Sequence, residues 1–342
     1  MKRVIVLTVG IIFTFSFFVF GEGEKIPELK FLFEIKEELK GPEATAFDEN
    51  GNIYVADSYS QQIVVFNENG KFWFKFSSPK MRIPTGIVVK SDKIYVTDLA
   101  ANDVKVFSKS GDLIKGIGSP GKGRAQFIRP KGIAIDDDNN IYIADSGNHR
   151  IQIFDGEGRF KGSFGSYGMG EGAFNCPSGI TIDNKGKIYV TDMMNSRVQV
   201  FDKRGNKFLY KFGSPGTDEG DLMRPRGVSV DNEGFIYVAS SDNCRIEVFN
   251  QKGRFILNFG EFGEKAGQFN QISLSSLHQR RYALADPSNK SVSIFEITYF
   301  SPISPEIKAE KQLPKEEKKV EEKRLEELPA EARPEHPEIP EP

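Results

Sequence analysis

The sequence predicts an all-β protein, a six-bladed β-propeller of four-stranded antiparallel blades, on three observations. First, a five-residue pattern recurs: Ile53-Tyr54-Val55-Ala56-Asp57, Ile94-Tyr95-Val96-Thr97-Asp98, Ile141-Tyr142-Ile143-Ala144-Asp145, Ile188-Tyr189-Val190-Thr191-Asp192 and Ile236-Tyr237-Val238-Ala239-Ser240, with a weaker sixth copy at Tyr282-Ala283-Leu284-Ala285-Asp286. Second, the copies lie 41, 47, 47, 48 and 46 residues apart, a near-constant period that marks a repeat architecture. Third, no stretch of ten residues within the repeats has helical periodicity.

The third copy shows what one repeat contains. Gly132-Ile133-Ala134-Ile135 and Ile141-Tyr142-Ile143-Ala144 are short β-rich runs, Arg150-Ile151-Gln152-Ile153-Phe154 alternates polar with apolar, and Arg159 to Gly165 closes the unit. Asp, Asn and Gly clusters separate these runs, as in an antiparallel meander. One such sheet cannot cover both of its faces, but sheets stacked around an axis cover each other. Phe66, Phe107, Phe154, Phe201, Phe249 and Phe295 hold equivalent positions and read as core between blades. Five complete units run from Pro42 to Gly260, whereas residues 271–297 supply only three strands. The missing strand is expected from Leu29–Ile35, so that an N-terminal strand closes the last blade and no sheet edge is left between first and last units.

The repeats resemble the NHL family. The resemblance rests on Pro-x-Gly-Ile before the first strand, on the Ile-Tyr-Val-Ala/Thr-Asp strand, and on Asn148-His149-Arg150-Ile151-Gln152-Ile153-Phe154, Asn195-Ser196-Arg197-Val198-Gln199-Val200-Phe201 and Asn243-Cys244-Arg245-Ile246-Glu247-Val248-Phe249. It implies the six-bladed propeller and says far less about activity, because fold does not imply function. Cytoplasmic relatives use the corresponding loop face for RNA or protein, and a related lyase binds zinc through several His.

Three regions are expected: a signal peptide at 1–21, the propeller at 28–299, and a Pro/Glu/Lys-rich disordered tail at 300–342. Lys2-Arg3, the mainly apolar run from Val4 to Phe20 and the small Gly21 have the layout of a secretory signal. The 17-residue run is also at the lower limit for a spanning helix, so removal and retention as an N-terminal membrane anchor both stay open. The expected location is exported, periplasmic or extracellular, with a tether to the inner membrane if the segment is kept. From Ser301 to Pro342 there are eight Pro, twelve Glu and eight Lys or Arg and no aromatic residue, a composition too polar to build a core. Export permits a disulfide between Cys176 and Cys244, although spacing does not settle their separation.

Charge and site chemistry narrow the function classes. The formal net charge is −2, which is no polyelectrolyte signal, and an exported chain has little occasion to meet nucleic acid. The Asp row (Asp57, Asp98, Asp145, Asp192) ends each second strand, with Asn148, Asn195, Asn243, Arg150, Arg197 and Arg245 following in the turns. Repetition in nearly every unit reads as a structural turn device, with each Arg neutralised by the Asp row. The innermost strands, read from Ala44, Gly86, Gly132, Gly179, Gly227 and Ile272, carry only apolar, Ser, Thr or Gly residues, so no carboxylate ring for calcium is expected. The three His (His149, His278, His336) fall in unrelated places, and no Gly-x-Ser-x-Gly elbow is present. No catalytic residue, cofactor or metal is therefore expected. What is left is a surface. Arg82, Arg129, Lys131, Arg224 and Arg226 flank the prolines that start the inner strands, on the same ring face as the Asp turns. They read either as ordinary solvated charges or as a basic mouth for an acidic protein, peptide or envelope glycan. The expectation is a non-catalytic binding scaffold; the alternative is a divergent metal-dependent propeller hydrolase or lyase. Oligomeric state is not legible.

Overall fold

A computed structural model describes residues 25–202 and 207–301. The expected signal segment and the expected tail beyond Ser301 lie outside the described residues. Six four-stranded antiparallel sheets form the six blades. Blade 1 runs through Pro42–Phe47, Ile53–Asp57, Gln62–Phe66 and Phe72–Phe76 from the axis outward, and blades 2 to 5 repeat that order. Blade 6 is Ser275–His278, Arg281–Asp286 and Ser291–Phe300, completed by Ile26–Ile35 as its outer strand. Ile26 pairs with Phe300 and Ile35 with Val292, so the two ends of the propeller are stitched by a ten-residue antiparallel ladder. Phe300, placed in the tail by sequence, belongs to this last strand.

The recurrent Ile-Tyr-Val-Ala-Asp strand is buried along its whole length in every blade that carries it. Both of its faces meet neighbouring blades, which is why the strand reads as a continuous apolar run and not as an alternation. The six repeat-equivalent Phe side chains are at most 2% exposed, and rings from neighbouring strands and blades meet them edge-on, as Phe76 meets Phe107 at 5.2 Å. Each such burial contributes roughly 2–3 kcal/mol. The tyrosine of the motif turns its hydroxyl to a carboxylate at the end of the inner strand: Tyr142 donates to Asp136 at 3.1 Å and Tyr237 to Asp231 at 2.9 Å.

Two features set the geometry of the axis. The inner strands of blades 1 to 5 each carry a bulge just after their first residue, where one extra residue opposes the second strand. The inner strands also approach each other closely. A Cβ on Gly132 would lie 2.4 Å from the Ser178 carbonyl oxygen, and one on Gly179 would lie 2.3 Å from that of Arg226. Only glycine admits that approach, and the channel it leaves between Ala44, Gly86, Gly132, Gly179 and Val228 is about 30 Å³.

Candidate functional site

Because the strands alternate in direction, the start of each inner strand, the second-to-third-strand turn and the end of each outer strand share one face. The loops that lead into blades 3 to 6 are long on this face. They fold on themselves as short parallel bridges, as between Ser119-Pro120 and Gln126-Phe127, and between Tyr167 and Phe174, which turn signals alone did not reveal.

The Asp row fastens these loops. Asp145 accepts from the Ile128 N–H at 2.8 Å, from Asn148 at 2.9 Å and from Arg150 Nε at 2.9 Å. Arg150 then donates to the carbonyls of Gly123 and Gln126 in the same loop. Asp192 repeats the arrangement with the Asn175 N–H at 2.6 Å, Asn195 at 2.8 Å and Arg197 at 2.8 Å. In blade 1, Asp57 accepts from the N–H groups of Lys40, Gly41 and Ser60. Burial raises the Asp145 carboxyl above its usual range, against its hydrogen bonds. Burial acts the same way on Asp98, but N–H donors from Ala101, Ile83 and Arg82, with Lys105, outweigh it and leave that carboxyl lowered.

One expected pairing is wrong. Arg245 is not neutralised by the Asp row, because blade 5 has Ser240 at that position and its hydroxyl takes only the Met223 N–H, at 2.9 Å. Arg245 pairs instead with Glu247, two residues along its own strand. Glu247 is fully buried. Burial pushes its carboxyl up to about 7 in spite of Arg245.

The five expected basic-face residues divide into two groups. Arg82 and Arg224 are exposed on the rim, and Arg224 faces Asp242 at 3.4 Å. Arg129, Lys131 and Arg226 converge on a cavity of about 200 Å³ at the axial mouth, together with Glu43, Thr85 and Ser178 and the apolar Ile83, Leu99 and Leu274. Glu43, Lys131 and Arg226 directly follow the first residue of their inner strands, where the bulge lies. The reading of the inner strands as free of charge therefore began one residue too late: the channel is apolar, but its mouth is not. Glu43 accepts from the Ser273 hydroxyl at 2.7 Å and lies 3.7 Å from Arg226 Nη1.

Exposed Tyr59, Tyr167, Met169 and Met194 sit in turns and loops of the same face. Cys176 and Cys244 are both free thiols; the Cys176 N–H donates to His149 Nδ1 at 3.1 Å. Among the described residues no group of three or more His, Cys, Asp or Glu is placed to hold a metal ion, and no helix is long and apolar enough to cross a membrane. The opposite face has a wider, open cavity of about 810 Å³ that mixes Glu49, Glu68, Glu233 and Glu296 with Arg280 and Arg281.

Residues 39–66, 127–154, 174–201 and 222–249 match the NHL repeat. No curated protein matches the chain in sequence. Among solved structures, a Bacteroides thetaiotaomicron protein of unknown function is similar over 80% of this chain and 77% of its own, at 14% identity and a TM-score of 0.62. A gluconolactonase from Xanthomonas campestris covers 82% of this chain and 99% of its own, at 13% identity and a TM-score of 0.60. Virginiamycin B lyase from Staphylococcus aureus covers 80% and 99%, at 13% identity and a TM-score of 0.55. These likenesses are of fold.

Proposed function

For a six-bladed propeller built of NHL repeats, we propose the role of an exported, non-catalytic binding scaffold whose lead-in-loop face docks an acidic protein or peptide. The observation that carries this reading is the gathering of cations on one face: Arg129, Lys131 and Arg226 at the axial mouth, ringed by exposed Arg82, Lys122, Arg124 and Arg224. Exposed Tyr59, Tyr167, Met169 and Met194 on that face add apolar contact area. Loops fastened to a rigid scaffold are where recognition residues sit, and a local cluster of cations at the mouth steers an acidic group towards it.

The test is reversal of the rim. Replacing Arg82, Lys122, Arg124 and Arg224 by Glu should lower capture of the cross-linked partner at least tenfold and remove the salt dependence of capture, with melting unchanged. Equal capture by the variant and the parent sinks the reading. The metal-dependent hydrolase or lyase has in its support only the fold shared with the lyase and the gluconolactonase. Stoichiometric zinc or calcium in the purified protein would establish it.

A further inference from the structure

The axial mouth takes one side chain from each blade, always the residue after the first of the lead-in pair: Glu43, Thr85, Lys131, Ser178, Arg226 and Ser273. Three of these positions are neutral hydroxyls (Thr85, Ser178 and Ser273), while the other three carry charge (Glu43, Lys131 and Arg226). The Asp turns put a carboxylate at the same position in five of the six blades, but this ring mixes both signs of charge with neutral hydroxyls.

Arg226 is only partly satisfied there. Its Nη1 side faces Glu43 at 3.7 Å, while its buried Nε has no hydrogen-bond partner. A buried donor on a charged group with no acceptor costs stability. Lys131 donates to the Met193 thioether at 3.7 Å, a weak acceptor for an ammonium. With Arg129, three cations and one carboxylate line the cavity, an excess of two positive charges. Ile83, Leu99 and Leu274 supply an apolar wall.

We propose that this axial pocket is a receptor for a single carboxylate borne on a small apolar group, held between Lys131 and the guanidinium of Arg226. The proposal deepens the reading above and rests on it, in that the partner's acidic group becomes a carboxylate and its seat becomes the axis. The planar guanidinium edge matches two carboxylate oxygens. Glu43, already in place, disfavours a dianion such as phosphate. The cavity is smaller than the ~300 Å³ at which drug-sized sites begin, so it suits a short branched acid or the end of one side chain.

The charge state of Lys131 agrees with the geometry. Burial, then Arg226, pushes its ammonium down to about 8, with Glu43 and Cys176 acting in the other direction and Arg129 in the same one. A bound carboxylate would restore that proton, so binding above pH 8 takes up protons and weakens as pH rises.

Isothermal titration of the full-length purified protein tests this. Isobutyrate should bind saturably, while neutral isobutyramide and inorganic phosphate should not. Arg226→Met and Lys131→Met should each weaken isobutyrate at least tenfold while melting no lower than the parent, and Glu43→Gln should admit phosphate. Absence of saturable isobutyrate binding overturns the proposal. So does phosphate binding as tightly as isobutyrate to the parent, or unchanged affinity in both Met variants. Acetyl-Gly-Val with a free carboxylate, run against its amide, separates sources. Tighter binding than isobutyrate assigns a peptide carboxylate, weaker binding a free acid, and both support a carboxylate receptor. The rim reversal of Arg82 and Arg224 lies outside the cavity, so it defeats partner docking without touching this titration. Each idea can therefore fail alone.

Discussion

Blades 4 and 5 perform the same fastening with the carboxylate in different places. In blade 4, Asp192 ends the second strand, and Arg197 reaches from it to the carbonyls of Met169, Gly170 and Ala173. In blade 5 that Asp is Ser240, the neutral Gln199 is replaced by Glu247, and Arg245 still reaches the loop, at Thr217 and Asp218. Blade 2 makes the complementary exchange: the Arg position is Asp103, the Gln position is Lys105, and the buried ammonium bridges Asp98 at 3.0 Å and Asp103 at 2.7 Å. In blades 2 to 5 identity drifts, but a buried or half-buried cation always meets a buried carboxylate. Burying a lone charge is too costly for any other outcome. The axial ring obeys no such rule, since Lys131 and Arg226 share one Glu43 with each other and with Arg129. In blades 3 to 5 each cation has a carboxylate of its own, and in blade 2 one ammonium serves two carboxylates, so no cation is left over. The axial mouth leaves an excess of cations, which is the opening the proposed carboxylate would fill.

The largest effect should come from breaking the balanced cluster. Asp192→Ala removes the acceptor of the Asn175 N–H, Asn195, Arg197 and Gln199 and strands a guanidinium that is 8% exposed. Removing one partner of a buried pair costs about 3–5 kcal/mol, which for a domain of this size lowers Tm by roughly 10 °C. A thermal melt within 2 °C of the parent, about the shift expected for under 1 kcal/mol, would show that the pair is dispensable.

The relocation itself can be reversed. Ser240→Asp with Glu247→Gln rebuilds blade 4 inside blade 5. Each single change should cost about 1–3 kcal/mol: the first crowds two buried carboxylates, and the second leaves Arg245 without one. The double variant should recover most of that loss, with a coupling of at least about 1 kcal/mol in a double-mutant cycle. Strict additivity would mean that the two positions do not share a cluster. A pH titration sharpens the point. The Glu247 carboxyl holds its proton up to about 7 in the fold, against 4.5 for an ordinary Glu. The folded state therefore binds more protons across that window, and stability falls as pH climbs from 4.5 to 7, by roughly 3 kcal/mol. The double variant should lack this slope in urea midpoints measured from pH 4.5 to 8.

How much of this was legible follows from the same comparison. Blade number and the Asp turns could be read because each is written several times at a fixed period, and closure by the N-terminal strand followed from the one strand that the last unit lacks. Arg245 was misassigned because its partner is a single substitution two residues downstream, with no copy elsewhere to reveal it. Lys131 and Arg226 are legible as mouth residues beside their prolines. Glu43, at the equivalent position after Pro42, is not, because the bulge there breaks the alternation that assigns a strand residue to one face. The rim residues Arg82 and Arg224 precede their prolines as Arg129 does, and only the fold separates those that meet at the mouth from those that do not.

Charge removal should have opposite signs in the two regions. Lys131 keeps its proton only up to about 8 in the fold, so the unfolded chain binds more protons between about 8 and its ordinary 10.5, and stability rises with pH there. Lys131→Met lifts the penalty present at pH 7 and should stabilise by on the order of 2 kcal/mol, an advantage that fades above pH 10. A destabilised Lys131→Met protein at pH 7 would place this residue with the balanced clusters and remove the contrast.

The smallest effect separates the two designs most cleanly. Ser240 holds the position of Asp192 but takes one N–H, from Met223 at 2.9 Å, and no cation. Ser240→Ala should therefore cost only the one neutral hydrogen bond, about 1 kcal/mol, against several for Asp192→Ala at the equivalent site. If the two alanine variants melted together, the position and not the charge would be what fastens the loop. The exchange of Asp for Ser in blade 5 would then have no need of Glu247 to compensate it.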